Sequence, residues 1–465
     1  MVPERLRPVL ELTAPLADRF EAAGKRLYLV GGTVRDAIAG RPGGGSSAVE
    51  VDVDLTTDAL PDEIEELAGR DAEAVWTQGK RFGTIGVMWQ GRRLEITTHR
   101  AEAYDPDSRK PDVRYGDDVT TDLSRRDFTV NAMALRIPEL EMIDPYDGLG
   151  DLAAHRLRTP LDPESSFSDD PLRMLRAARF SAGYELEPDA ALTAAVVAMA
   201  DRLSIVSAER IRDELDKLLV LPRPSAALWF LVRTGLAAVF LPELPALELE
   251  QDPIHRHKDV LAHTIAVVEK TRPDKVLRLA ALLHDIGKPK TRSFGPDGVS
   301  FHHHDVVGAR MARERMRDLR YPSAEIDQVC RLVELHLRFH TYKMGWTESA
   351  LRRYARDAGP LLGKLNELTR CDSTTRNPAR AKALALRMDE LEERLAELEA
   401  KEELASLRPE LDGDDVMTEL ELPPGRDVGR ALAYLLQIRL DEGLVGKEEA
   451  RRRLRRWWES EASRT

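Results

Sequence analysis

Along the first third of the chain, apolar residues come in short runs: Leu27–Val30, Val49–Leu55, Thr84–Trp89, Leu94–Thr98 and Ala132–Ile137. Runs of this length, alternating with helix-like or Gly-rich pieces, predict strands mixed with helices from Leu27 to about Leu161. The 25 residues before them carry an amphipathic helical pattern. Beyond about Pro163 the period changes. Leu172, Leu175, Ala178 and Phe180, then Ile211, Leu215, Leu218 and Leu219, recur at helical spacing, so the remainder reads as essentially all helical. Pro222 and Pro224, then Pro242 and Pro245, mark helix ends. From Ala381 to Leu407 there is neither Gly nor Pro, which predicts one long exposed helix. Gly43-Gly44-Gly45-Ser46-Ser47 predicts a flexible loop, and the polar stretch Tyr104–Val119 a loop long enough to be functional or mobile.

Composition narrows this picture. A chain of 465 residues is too long for one ordinary core and implies about two to four domains. The longest apolar stretch, Ala190–Ala200, is about 11 residues, against about 20 for a membrane-spanning helix, so an integral membrane protein is not expected. Acids and bases throughout the first 20 residues predict no signal peptide. With only two cysteines, Cys330 and Cys371, neither a disulfide framework nor a thiolate zinc site is expected, and a cytoplasmic location follows. Net charge is −12, which argues against a protein coated by nucleic acid. The run Arg451–Arg456, leading into Trp457 and Trp458, leaves room for a local basic surface; its plainer reading is a solvated helix face.

Two constellations carry chemistry. In the first, Leu29-Val30-Gly31-Gly32-Thr33-Val34-Arg35-Asp36 reads as strand, double-glycine turn and helix start. Such a turn lets a ligand approach the backbone, and helix-start amides attract phosphate; Arg35 in the first turn would add a planar charged donor. Alone, the turn is more often structural. The next strand reads Glu50-Val51-Asp52-Val53-Asp54-Leu55, and period-two alternation puts Asp52 and Asp54 on one face with Val51, Val53 and Leu55 toward the core. Paired carboxylates mark either an acidic sheet edge or a seat for Mg²⁺ beneath a triphosphate. Glu95 on the strand Leu94–Thr97 offers a third carboxylate.

Five motifs in order then resemble one family: GGTVRD with DVDLTTDA; Arg125-Arg126-Asp127-Phe128-Thr129-Val130-Asn131-Ala132; Asp144-Pro145-Tyr146-Asp147-Gly148-Leu149; Asp169-Asp170-Pro171-Leu172-Arg173; and Glu209-Arg210-Ile211-Arg212-Asp213-Glu214. Together they resemble class II CCA-adding tRNA nucleotidyltransferases and bacterial poly(A) polymerases. Position 169 is Asp where that family often has Glu. The resemblance implies an α+β fold: a polymerase-beta-like nucleotidyltransferase head with a mixed sheet, followed by an all-helical neck, body and tail. In such an enzyme Asp52 and Asp54 hold Mg²⁺, Gly31, Gly32 and Arg35 cradle the triphosphate, and Arg126 and Asp127 contact phosphate and ribose. Asp170 and Arg173, three apart, are expected on one helix face. An ionised Asp only accepts and an Arg only donates, which matches the amino donor and ring-nitrogen acceptor shown by both C and A, and mismatches U and G. Arg176 and Arg179 would continue this basic face toward phosphate or primer. A full-length Tyr104–Val119 loop fits complete CCA addition in this family.

The second constellation is histidine. Of 11 histidines all but His99 and His155 fall between His255 and His340. The order His263, His284-Asp285, His304, His336, Asp372 resembles the HD phosphohydrolase superfamily. By that resemblance His263, His284, Asp285 and Asp372 hold one divalent transition metal, and His304 and His336 a second; the alternative is an HD scaffold kept for folding. His255, His257, His302, His303 and His340 read as surface or capping residues.

The combined expectation is a head over 1–160, a helical neck selecting nucleotide and binding RNA over 161–250, an HD domain over 251–378, and a helical tRNA-binding tail over 379–465. Its partners would be CTP, ATP and the 3′ end and acceptor arm of tRNA, with no membrane and no obligate protein partner. The alternatives are a poly(A) polymerase, a CC- or A-adding specialist, and a protein that is chiefly an HD phosphohydrolase.

Overall fold

The computed structural model of the chain describes residues 4–40, 53–100, 115–249, 259–295, 298–341, 346–373, 378–402 and 408–462. The chain divides into two compact units, Met1–Phe240 and Leu241–Thr465.

The first unit is built on a seven-stranded sheet: β1 (Leu27–Val30), β2 (Val53–Thr57), β3 (Ala74–Trp76), β4 (Thr84–Trp89), β5 (Arg92–Thr98), β6 (Ala134–Ile137) and β7 (Glu141–Ile143). The order is β3-β4-β5-β2-β1-β6-β7, and only β2 and β5 run parallel, so the sheet is mixed. The five apolar runs of the sequence each fall on a strand of this sheet. Strands β3 and β7 were not anticipated; with three residues each they are too short to show alternation.

Period two decides which side chains meet. Leu27, Leu29, Val53, Leu55, Ile85, Val87, Leu94 and Ile96 enter one core. Leu12, Leu16 and Phe20 of α1 (Arg7–Ala22), Val34 of α2 (Gly32–Ile38) and Ile64 of α3 (Pro61–Gly69) pack into the same core. The intervening positions, Tyr28, Val30, Asp54, Glu95 and Thr97, therefore belong to the opposite face. There Tyr28 and Val30 pack against Val119 and Leu123 of α4 (Val119–Ser124).

After α5 (Gly148–Ala153) the unit is helical: α6 (Pro163–Asp169), α7 (Leu172–Tyr184), α8 (Ala190–Met199), α9 (Ala208–Leu219), α10 (Ser225–Arg233) and α11 (Leu236–Phe240). One short parallel pairing interrupts it, β8 (Arg156–Leu157) with β9 (Glu187–Pro188).

Arg35 joins α2 to α7, and here the structure corrects the sequence reading. Its guanidinium is buried rather than presented to a phosphate. It donates to Asp36 Oδ1 (2.8 Å), to Asn131 Oδ1 and to the Tyr184 hydroxyl, and it lies over the Tyr184 ring at 4.2 Å. Tyr184 in turn donates to Asp36 Oδ1 at 2.9 Å, and burial pushes its phenol up to about 12, so it stays a neutral donor. The cause lies in the sequence: Asp36, next to Arg35, and the aromatic Tyr184 offer partners that a surface arginine lacks.

The second unit comprises α12 (Val260–Lys270), α13 (Lys275–Leu283), α14 (Lys288–Thr291), α15 (His304–Asp318), α16 (Ser323–Leu335), α17 (Arg338–Thr341), α18 (Glu348–Ala358), α19 (Leu362–Asp372), α20 (Pro378–Glu402), α21 (Gly413–Leu420), α22 (Arg426–Glu442) and α23 (Lys447–Ala462). The all-helical expectation fails at one hairpin, β10 (Arg292–Gly295) with β11 (Gly298–Phe301), whose four-residue strands are below what alternation can reveal. Helix α20 is the predicted long helix, although residues 403–407 lie outside the described residues. It is not exposed all round: Met388, Leu391, Leu395 and Leu398 form a buried stripe at three- and four-residue steps. The basic run on α23 is also not a free cationic face. Arg451 pairs with Glu448 (2.8 Å), Arg452 with Glu449, Arg453 with Glu442 (2.6 Å) and Glu449 (2.8 Å), and Arg455 with Glu419. Trp457 stacks on Tyr434 with centroids 4.8 Å apart.

Replacing Arg35 by Ala should destabilise the first unit by about 3–5 kcal/mol, because it strands the buried Asp36 and Asn131 groups. Urea unfolding of the full chain checks this: the earliest transition moves to lower urea, and an unmoved midpoint contradicts the role.

Candidate functional sites

On the sheet face opposite the core lies a cavity of about 390 Å³. Its floor is the parallel β2–β5 pair. The register sets Asp54 directly beside Glu95 and Thr56 beside Thr97, so the two carboxylates stand side by side. The Asp54 amide donates to Thr33 Oγ1 at 3.3 Å, which fastens this strand to α2. Glu95 also accepts from Arg93 at 2.8 Å. Asp52 lies outside the described residues, so the sheet pair seen here is Asp54 with Glu95. Adjacent carboxylate oxygens on a rigid sheet suit a hard divalent cation.

Gly31 separates β1 from α2 at φ +62°, where an L side chain is strained. A Cβ there would also stand 3.0 Å from Arg126 Nη1 and 3.8 Å from Asp54 Oδ2. Gly32 begins α2 beside the Arg35 guanidinium, 3.4 Å from where its Cβ would be.

The cavity walls are arginines and carboxylates locked in pairs. Asp122 on α4 is buried, and Arg125 (3.3 Å) and Arg126 (3.2 Å) donate to it. Burial works to raise its pKa, and Arg126 and Arg125 together bring it below the ordinary value. Arg126 Nε has no hydrogen-bond partner although it is buried. Asp127 accepts from the Phe128 amide (2.9 Å), Asn131 Nδ2 (2.8 Å) and Arg176 Nε (2.7 Å). Its burial is more than offset by the Arg176 charge and the Asn131 bond, which hold it at about 2.

Asp170 and Arg173 both line the cavity, but not as one helix face. Asp170 has extended φ −143° and lies in the turn between α6 and α7. Pro171 follows it, and the residue before a proline is steered away from helical backbone. Its Oδ1 accepts from the Leu172 amide at 3.1 Å and its Oδ2 from Arg210 Nη2 at 2.8 Å. Arg173 donates to Ser166 Oγ (2.8 Å) and to the Arg125 carbonyl (2.5 Å). Arg176 lines the cavity too; Arg179 does not. Three-residue steps rotate about 60° off register each time on an α-helix. Arg179 has turned to Glu214 Oε2 at 2.7 Å and lies over the Phe180 ring. Sequence reasoning left Arg100, Asp122, Arg125 and Arg210 without roles, and all four line the cavity. The acid four before Arg126 on a short helix was the available signal for Asp122. Of the long polar loop, residues 104–114 lie outside the described residues.

In the second unit the predicted histidines converge. His263 comes from within α12. His284 caps the C-terminus of α13 and His336 that of α16; His304 opens α15 and Asp372 closes α19. His284 Nδ1 meets the Ala281 carbonyl at 2.8 Å, His304 Nδ1 that of Phe301 at 2.7 Å, and His336 Nδ1 that of Val333 at 2.6 Å. A carbonyl only accepts, so each Nδ1 carries the hydrogen, and the Nε2 atoms can act as ligands. For His284 and His336 the carbonyls belong to a helix's last turn, which lacks intrahelical donors. Buried Nε2 of His284 and of His304 have no hydrogen-bond partner, as waiting metal ligands would not.

Asp285 sits between the two groups. Its Oδ2 is 3.2 Å from His284 Nε2 and 3.6 Å from His263 Nε2, while Oδ1 is 3.4 Å from His304 Nε2. Two sets fit a metal ion among the described residues: His263 with His284 and Asp285, and Asp285 with His304 and His336. Asp372 Oδ1 lies 2.9 Å from His263 Nε2. Burial disfavours a charged His284, yet Asp285 and Asp372 raise it to about 10, while burial and the neighbouring His284 lower His336 to about 4. Lys288, which sequence reasoning passed over, donates to Asp285 Oδ2 at 2.6 Å. Gly287 has a packing reason: a Cβ would lie 2.2 Å from the His304 carbonyl oxygen. His302 and His303 are exposed as expected; His255 and His257 lie outside the described residues.

Comparison with known proteins covers both units. Residues 27–158 match a family model described as the poly A polymerase head domain, 183–247 one described as a probable RNA- and SrmB-binding site of polymerase A, and 260–396 the HD domain. An A-adding tRNA nucleotidyltransferase of Deinococcus radiodurans is 36% identical over 356 residues, 73% of this chain and 79% of that protein. A CCA-adding enzyme of Lacticaseibacillus paracasei is 38% identical over 245 residues; the match spans 52% of this chain and 58% of that relative's length. In fold, the chain resembles a Bacillus stearothermophilus CCA-adding enzyme solved with CTP (TM-score 0.72, 21% identity, 98% of this chain and 100% of that one). A Thermotoga maritima CCA-adding enzyme solved with tRNA is also similar (TM-score 0.56, 19% identity, 96% and 95% covered).

The histidine centre should bind divalent metal with Asp285 as its pivot. Calorimetric titration of the metal-stripped chain with Mn²⁺ should show a binding component in native protein and in His155→Ala that is lost in Asp285→Ala. Undiminished binding in Asp285→Ala contradicts the assignment.

Proposed function

The chain belongs to the tRNA nucleotidyltransferase family, and we propose that it adds C, C and A to the 3′ end of tRNA from CTP and ATP without a nucleic-acid template. One observation carries this reading: a single cavity has Asp54 and Glu95 on its floor and Asp170, Arg173 and Arg210 on its wall. The floor suits metal and triphosphate; the wall suits a base edge.

In this reading Asp54, with Asp52, holds Mg²⁺, and Glu95 supports it. Bound Mg²⁺ supplies charge neutralisation for the triphosphate and for the departing pyrophosphate. Arg126, whose buried Nε is unpartnered, donates to phosphate, while the Gly31-Gly32 turn lets the triphosphate approach. The tRNA 3′ hydroxyl attacks the α-phosphorus, the bond to the β-phosphate oxygen breaks, and pyrophosphate leaves. Asp127, held ionised, accepts from a ribose hydroxyl. Arg176 has Asp127 as its first partner and acts by holding that carboxylate. Arg179 sits one step further back, steadying α7 against α9. Asp170 accepts from the exocyclic amine of C or A, and Arg173 donates to the adjacent ring nitrogen. U or G would cover these half-buried groups and leave them unpaired, at about 1–3 kcal/mol each.

The proposed division of labour is a head (1–160), a neck (161–250), an HD domain (251–378) and a tail (379–465), in the cytoplasm. The acceptor arm would be gripped by shape and backbone, with an affinity that falls steeply with salt. A second reading, addition of A alone, is favoured by the Deinococcus radiodurans relative, which is named for that activity.

For the second unit we propose metal-dependent phosphoester hydrolysis, the substrate being a damaged RNA 3′ end such as a 2′,3′-cyclic phosphate. What supports it is the carboxylate of Asp285 set between two histidine groups. Native protein with Mn²⁺ or Ni²⁺ should open 2′,3′-cyclic AMP and Asp285→Ala should not; equal or absent turnover in both removes the proposal.

For the first unit, tRNA transcripts ending before CCA should take up labelled C and then A, and Asp54→Ala should lower that uptake by about 10²–10³-fold. Uptake of A alone, and only on transcripts ending in CC, would select the second reading. Undiminished addition by Asp54→Ala would overturn both.

A further inference from the structure

The helix carrying Glu209-Arg210-Ile211-Arg212-Asp213-Glu214 has so far only lined the cavity wall through Arg210 and braced α7 through Glu214. On α9, Arg210 and Glu214 are four apart and share one face. Glu214 is buried and accepts from Arg179 Nε at 2.7 Å, with Arg176 Nη1 3.8 Å away. Arg210 Nη2 donates to Asp170 Oδ2 at 2.8 Å. One face of α9 thus holds the α6–α7 region twice: at Asp170 in the turn ahead of α7, which faces the cavity, and at the arginines along α7.

We infer that Arg210 is a positioning residue for base selection: it fixes the Asp170 carboxylate so that this side chain cannot turn away from a base of the wrong polarity. The inference rests on the proposed base-reading role of Asp170. Asp170 does not sit within a helix, where neighbouring turns would confine its rotamer; it lies in the turn ahead of α7. Two donors hold it, one on each oxygen: the Leu172 amide on Oδ1 and Arg210 on Oδ2. The amide alone leaves the carboxylate free to pivot about Oδ1. With Arg210 in place, a carbonyl presented by U or G meets a fixed acceptor and stays unpaired. Without it, the carboxylate swings aside and the penalty on the wrong base falls.

Arg173 needs no such help. Ser166 Oγ and the Arg125 carbonyl already hold its two terminal nitrogens, so the donor half of the reader is fixed within α6, α7 and the turn after α4. Loss of Arg210 therefore affects the acceptor half, which is the half that faces the exocyclic amine. The Arg210 side chain is 53% exposed, and exposed ion pairs contribute little to stability. Its removal should spare the fold, which separates a selectivity effect from a structural one.

The test uses the full chain, a tRNA transcript lacking CCA, and single additions from CTP or UTP by wild type, Arg210→Ala and Arg210→Lys. Arg210→Ala should raise KM for CTP about tenfold, the cost of one charged hydrogen bond, with kcat nearly unchanged. Its preference for CTP over UTP should fall by a similar factor. Arg210→Lys, which keeps a charged donor, should recover most of the preference, and melting temperatures should agree among the three. A wild-type protein that prefers CTP while Arg210→Ala prefers it equally overturns the inference alone. A uniform loss of kcat for both nucleotides also overturns it, because that outcome marks a structural role. A wild type with no preference for CTP overturns both the inference and the function on which it rests.

Discussion

Two carboxylates held side by side by a parallel strand pair are the constraint on which the first unit depends. Asp54 and Glu95 are register partners. Neighbouring strands are about 4.8 Å apart, and like charges at that distance repel by about 3 kcal/mol at an effective dielectric near 20. Neither residue can escape to the other face, because Val53, Leu55, Leu94 and Ile96 are committed to the core by the same period-two geometry. The repulsion has to be met by positive charge, and Arg93 meets part of it on Glu95. In the proposed reading, a divalent cation held there with a polyphosphate would add to that positive charge.

The same logic runs through the rest of the cavity. Its walls hold charge in pairs, several of them across elements: Arg173 set by the turn after α4, Arg176 by Asp127, and Asp170 by Arg210 of α9. Such cross-element pairs fix directions, which matters more for reading a base than the small energy of each pair. In the second unit the constraint is helix termini. Last-turn carbonyls need donors; imidazole Nδ1 atoms supply them, and the Nε2 atoms are left grouped around Asp285.

How much of this was legible follows from range. Period-two runs located five of the seven sheet strands, because alternation is local, and it correctly sent Asp54 away from the core. Motif order located the cavity and the histidine centre. What stayed hidden depends on distant partners. Arg35 looked like a phosphate donor until Tyr184, 149 residues later, and Asn131 took its guanidinium. On α23 the run leaves room for a basic surface, yet Arg451, Arg452, Arg453 and Arg455 each pair with an acid of α21, α22 or α23 itself. Arg179 looked like a continuation of the Arg173 face because three-residue spacing hides a rotation that only the packed helix reveals. Asp170 shares three-residue spacing with Arg173, but Pro171 after it steers its backbone out of the helix.

The most direct measurement is a crystal structure of the full chain soaked with CTP and Mg²⁺. The account predicts a Mg²⁺ ion about 2.1 Å from an Asp54 oxygen, bridging to the triphosphate, with the cytosine amino group on Asp170 and its ring nitrogen facing Arg173. CTP bound away from the β2–β5 carboxylates, or with its base edge turned from the α6–α7 turn, would contradict it.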